Sequence, residues 1–151
     1  MIRVAAAIGG LAAAWAATTG TPATAEVLDA VYRGTMVCDR MPIIKTNRRE
    51  ALEVTIDDGK VRYTHVVRLR DASELKPEQG TGTLKGQDIT LEGAWDGGAH
   101  SYKAKYTGTF VRRSVHLTGT QTWSIDGKTV TRACSGAVKR RLKAFLPRKK
   151  T

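Results

Sequence analysis

The feature that most constrains this chain is a hydrophobic period of two, cut at short intervals by turn residues. Tyr32, Gly34, Met36 and Cys38 share one side of a run from Ala30 to Cys38, with Arg33 and Thr35 on the other. Leu52, Val54 and Ile56 alternate with Glu53 and Thr55, and Val61, Tyr63, His65, Val67 and Leu69 oppose Arg62, Thr64, Arg68 and Arg70. The same spacing recurs in Ile89, Leu91, Gly93, Trp95, in Tyr102, Ala104, Tyr106, Gly108, Phe110, in Val115, Leu117, Gly119, Gln121, Trp123, and in Val130, Arg132, Cys134. Side chains two residues apart lie on one face of a strand, so these are strands with one buried face. Gly80 to Lys85 reads as a further short strand.

Between the runs stand Asp57-Asp58-Gly59-Lys60, Gly86-Gln87-Asp88, Asp96-Gly97-Gly98, Arg112-Arg113 and Asp126-Gly127. Gly and Asp tolerate the positive φ that tight hairpin turns require. Only Asp39 to Glu50 and Asp71 to Gln79 break the pattern at length; each carries a proline (Pro42, Pro77) and several charges, and each reads as a polar loop. About eight strands in sequential hairpins make an antiparallel meander. An all-β meander of that size loses its bare edges by closing, fully or nearly, into a β-barrel. A two-sheet β-sandwich built from the same strands is the alternative.

Residues 1–25 do not belong to this pattern. Arg3 is followed by an apolar stretch from Val4 to Ala17 and a small-residue region ending Ala23-Thr24-Ala25. A positive start, a short apolar middle and an A-x-A end predict a secretory signal peptide. The apolar part falls short of the ~20 residues of a membrane span. The expected domain organisation is a signal peptide at 1–25, a small β-barrel domain at 26–138 and a basic tail at 139–151, in a periplasmic or secreted protein. Two cysteines, Cys38 and Cys134, lie in the presumptive first and last strands. In an oxidising compartment an isolated pair forms a disulfide, the alternative being two free thiols.

Charge is unevenly placed. The chain carries a formal +11. Lys139, Arg140, Arg141, Lys143, Arg148, Lys149 and Lys150 stand in the last thirteen residues with no acid among them. Without that segment and Arg3, 17 basic residues face 14 acidic ones, a near-balanced +3. Leu142, Phe145 and Leu146 are interleaved with the cations, so Lys139, Arg140, Arg141, Lys143, Phe145, Arg148, Lys149 and Lys150 are candidates for contact with anionic lipid, lipopolysaccharide or acidic polysaccharide. Nucleic acid would be attracted only non-specifically. A solubilising end is the bland alternative.

An internal echo accompanies the strands. Gly82-Thr83 with Ile89, Leu91 and Gly93 is matched 26 residues later by Gly108-Thr109 with Val115, Leu117 and Gly119, each a strand, a turn and a strand. Glycines inside such strands mark bends or a bulky neighbour packed against them. The segments Tyr32-Arg33-Gly34-Thr35-Met36-Val37-Cys38 and Leu117-Thr118-Gly119-Thr120-Gln121-Thr122-Trp123, followed by Cys134, resemble a group of small exported proteins of rhizobia and related bacteria. That resemblance implies export and a disulfide, and no known activity. By strand count the domain is also similar to avidin-like and lipocalin-like barrels, which implies architecture alone.

No nucleophile elbow, phosphate loop or metal-ligand spacing is present, and no cofactor, metal or catalysis is expected. His100 and His116 fall on a turn and a polar face, whereas His65 lies on the apolar face. That face also carries Tyr63, Trp95, Tyr106, Gln121, Trp123 and Arg132. Apolar walls with a few polar groups describe a pocket for a small apolar ligand. The alternative is an interior filled by these side chains, with Arg132 at the rim. The functional expectation is therefore an exported, non-catalytic binding protein of the cell envelope, attached by its basic tail. A small-molecule-binding barrel is the alternative, and an enzyme of unknown type the third reading.

Overall fold

A computed structural model describes residues 29–41, 49–67 and 77–141. They form eight strands: β1 (Ala30–Cys38), β2 (Glu50–Asp57), β3 (Lys60–Val66), β4 (Pro77–Lys85), β5 (Asp88–Asp96), β6 (His100–Val111), β7 (Ser114–Ile125) and β8 (Lys128–Arg141). Each pairs antiparallel with the next and β8 returns to β1, so the sheet is a closed barrel and not a sandwich. In the closing seam Cys38 lies opposite Cys134, and the two are joined by a disulfide. The signal-peptide segment and residues 142–151 lie outside the described residues.

Three boundaries depart from the sequence reading, the first being β2, which begins at Glu50, the last residue of the other stretch read as a polar loop. β4 begins at Pro77, inside the stretch read as a polar loop. Proline at the first position of a strand costs no ladder hydrogen bond, so the chain can enter the sheet there. β8 runs through Arg141, three residues into the segment read as tail. Val31, Tyr32 and Arg33 of β1 pair with Arg141, Arg140 and Lys139, so the barrel needs these residues to complete its seam.

The 26-residue echo is a repeat of register. Gly82 faces Leu91 in the β4–β5 hairpin, and Gly108 faces Leu117 in the β6–β7 hairpin. Two interior glycines have a clear packing cause. Tyr63 pairs with Gly80, which pairs with Gly93, and a Cβ at either glycine would collide with the tyrosine ring.

The two ends of the barrel are built differently. At one end, the tight-turn end, the β2–β3, β4–β5 and β6–β7 connections are short hairpin turns. At the other, the loop end, lie the longer β1–β2 and β3–β4 connections with the short β5–β6 and β7–β8 turns. The interior near the tight-turn end is apolar: Ile56, Val61, Ile89, Phe110, Val115, Leu117 and Val138 are buried there, and Tyr32 packs edge-on to Phe110 at 5.1 Å. The buried charged and amide side chains among the described residues are Glu50, His65, Glu78, Gln121 and Arg132. All of them sit toward the loop end.

Candidate functional site in the barrel lumen

The site centres on Glu78, the second residue of β4, which is 0% exposed. In phase with Gly80 and Gly82, its side chain enters the lumen beside His65, its register partner on β3. Glu78 Oε2 accepts from His65 Nδ1 at 2.9 Å, Tyr102 Oη at 2.5 Å, Tyr106 Oη at 3.1 Å and Gln121 Nε2 at 3.3 Å. Tyr63 donates to the other oxygen, Oε1. Strands β3, β6 and β7 thus all aim donors at one carboxylate from β4.

A second layer extends the network toward β8. Gln121 Oε1 accepts from Arg132 Nε at 2.7 Å and from Trp123 Nε1 at 3.3 Å. Gln121 Nε2 also donates to Tyr106 Oη at 2.8 Å. The Arg132 guanidinium lies 5.2 Å from the Trp123 ring centroid, a cation–π distance. Trp95, Tyr102 and Trp123 form an aromatic cluster with centroids 4.5–5.7 Å apart. His65 Nε2 is 3.1 Å from Glu50 Oε2, an ion-pair distance outside hydrogen-bond alignment.

Burial disfavours the charged form of His65, but the two carboxylates that flank its ring outweigh that cost and raise its pKa above the ordinary value. Burial likewise works against ionised Glu78, and the donors from His65, Tyr102 and Tyr63 overcome it, so its pKa falls below the ordinary value. Burial, reinforced by Glu78, pushes Tyr63, Tyr102 and Tyr106 far above the usual phenol range, which fixes them as hydrogen-bond donors. Burial pushes the Arg132 guanidinium down, with Glu50 acting in the opposite direction. With His65 protonated, two buried cations balance two buried carboxylates.

Besides His65 Nε2, a second nitrogen of the cluster is left without a hydrogen bond. Arg132 Nη2 is buried and has no hydrogen-bond partner among the described residues, while Nη1 lies 3.5 Å from the Asp39 carbonyl oxygen. On the outer wall at the same end, a shallow cleft of about 340 Å³ runs over β5–β8 between Asp96, Lys103, Ser124 and Thr129.

All seven lumen residues singled out in the sequence, Tyr63, His65, Trp95, Tyr106, Gln121, Trp123 and Arg132, are buried and belong to this cluster. Arg132 is 4% exposed, so the expectation of a rim position is corrected: its hydrogen bond to Gln121 draws it inside. The residues the sequence reading missed are Glu78, Glu50 and Tyr102. Lys139, Arg140 and Arg141 are far from the lumen cluster, at the end of β8. Lys143, Phe145, Arg148, Lys149 and Lys150 lie outside the described residues.

A closed antiparallel barrel of eight strands with a charged, aromatic-lined half-lumen is the class of structure these residues define. No family model and no curated protein matches the chain. Among solved structures it is similar to rhizavidin in complex with biotin, at 9% identity and a TM-score of 0.49, over 82% of this chain and all of that one. It is also similar to rhizavidin alone, at 11% identity and a TM-score of 0.43, over 76% of this chain and 88% of that one. Intact afifavidin in its apo form is similar at 12% identity and a TM-score of 0.44, over 79% of this chain and 88% of that one.

Proposed function

We propose that this protein is a non-catalytic binder of a small molecule, held in the loop-end half of the lumen. One observation carries the reading: the loop-end half of the lumen buries four charged side chains, Glu50, His65, Glu78 and Arg132, where the tight-turn half is closed with hydrocarbon. Charges taken out of water cost several kcal/mol each before pairing, and a buried pair is often no more stable than a hydrocarbon replacement. The tight-turn half is filled with Ile, Val, Leu and Phe on the same strands. Polar groups kept in a core at such cost, beside aromatic walls, are what a ligand site requires.

The chemistry selects the ligand class. Arg132 Nη2 offers a buried donor, and Trp123, Trp95 and Tyr102, packed against one another, form an aromatic wall at the same end of the lumen. The expected ligand is a compact ring compound with a carbonyl or carboxylate acceptor. A binding role fits better than catalysis, because five donors occupy the Glu78 carboxylate and the tyrosines are driven away from ionisation. Trp95 and Trp123, the tryptophans of the barrel, serve as reporters. Benzoate, indole-3-acetate and biotin are suitable probes. The expected result is a change in tryptophan emission and a raised melting temperature with at least one of them, both lost in Arg132→Met. No response to any of the three at millimolar concentration would contradict the reading. Attachment through the residue 142–151 segment and a periplasmic or secreted location are separate proposals, and the lumen chemistry does not depend on them.

A further inference from the structure

The tight-turn end gathers basic residues that the sequence keeps apart. Arg112 and Arg113 form the β6–β7 turn, and Lys139, Arg140 and Arg141 end β8. The Arg140 backbone N–H donates to the Arg113 carbonyl at 2.8 Å, and Lys139 lies opposite Ser114. Among the described residues no carboxylate pairs with any of these five cations. Neighbouring Arg33 is neutralised by Glu53 at 2.6 Å. The acids at this end are Asp88, which accepts from Thr109 Oγ1 at 2.6 Å, and a group at the β2–β3 turn, Asp57, Asp58 and Asp29, where Asp29 accepts from the Asp58 backbone N–H at 3.1 Å.

The β6–β7 turn gives a second, independent indication. Arg112 has φ +58°, in the left-handed region that glycine, asparagine and aspartate tolerate and bulky residues avoid. The other tight turns of the barrel use those cheaper residues: Asp58 and Gly59, Gly86, and Asp126 and Gly127 take the positive φ values there. The chain accepts backbone strain at this one turn and gains two arginines beside the end of β8. Strain held at one place in an otherwise relaxed set of turns points to a role for the side chain.

We propose that this end of the barrel is a composite cationic face, Arg112, Arg113, Lys139, Arg140 and Arg141, that docks on a bilayer containing anionic phospholipid. β8 ends in this face at Arg141, and the residues that follow in the sequence carry Lys143, Arg148, Lys149 and Lys150 interleaved with Leu142, Phe145 and Leu146. Cations mixed with apolar residues suit a lipid interface, where headgroup phosphates and acyl chains are met together. Nucleic acid would use the cations alone. Docking by this end turns the loop end, with the lumen, away from the surface.

The test is co-sedimentation of the purified protein with phosphatidylcholine vesicles, with and without phosphatidylglycerol, at low and high salt. Arg112→Gly with Arg113→Ser is the informative variant, since glycine relieves the strained φ. The variant is expected to melt no lower than the parent and to bind phosphatidylglycerol vesicles roughly tenfold or more weakly, with the segment after Arg141 intact. Parent binding should fade with salt and be absent on pure phosphatidylcholine. Equal binding by parent and variant would overturn the composite face. So would binding of duplex DNA at the same salt without binding to vesicles.

Discussion

The two halves of this barrel share the same eight strands and solve different problems. Toward the tight turns, Phe110, Val115, Leu117 and Val138 fill the lumen with hydrocarbon, Arg140 is half-buried at its mouth, and Arg112, Arg113, Lys139 and Arg141 are exposed. Toward the loops, Glu50, Glu78, His65 and Arg132 are buried among tyrosines and tryptophans. The first half shows what this barrel needs in order to fold. The second departs from that, and on this departure the proposed binding site rests.

The largest expected effect breaks the charged half at its centre. Glu78→Ala removes the ion-pair partner of His65 and the shared acceptor of Tyr63, Tyr102 and Tyr106, and should lower unfolding stability by about 3–5 kcal/mol, as breaking a buried ion pair does. Urea unfolding measures it. Phe110→Ala in the apolar half should cost a similar ~3–5 kcal/mol by leaving a cavity. The two differ in how stability responds to pH.

That response follows from the shifted groups. The raised pKa of His65 contributes stability that is fully present below its ordinary value of 6.5 and is lost as pH rises through the folded value. The lowered pKa of Glu78 contributes stability present above its ordinary value of 4.5 and lost as pH falls through the folded value. Stability should therefore peak between those two values and decline on either side. Phe110→Ala should keep this profile at a lower level, whereas Glu78→Gln should flatten it. Equal profiles in both variants would mean that the charged cluster is not the titrating unit. At the small end, breaking the exposed Arg33–Glu53 pair on the outer wall should change stability by less than about 1 kcal/mol. A double-mutant cycle reads that value.

Much of this architecture could be read from periodicity alone, because every strand has one buried face and most turns are short. The charged centre could not. Glu78 follows Pro77 in a stretch rich in polar residues, and its phase with Gly80 and Gly82 is visible only once β4 is extended to Pro77. Nothing local then distinguishes an inward carboxylate from an exposed one, since its donors come from β3, β6 and β7. Glu50 is hidden in the same way at the end of the other polar stretch, and Tyr102 is one more position in the alternation of β6. Lys139 to Arg141 passed for tail because a run of cations obscures the alternation that Cys134, Gly136, Val138 and Arg140 continue. Pairing with β1 reveals it.

The most direct test of the lumen site is side-chain NMR. Indole N–H signals of Trp95 and Trp123, the Arg132 Nε–H signal and the methyl signals of Val115 and Leu117 would be followed while indole-3-acetate or biotin is added. The account predicts shifts at Trp123 and Arg132 and none at the two methyl-bearing residues of the tight-turn half. Saturation with no change at Trp123 or Arg132, or with shifts confined to outward-facing residues such as Lys103 and Thr129, would contradict it.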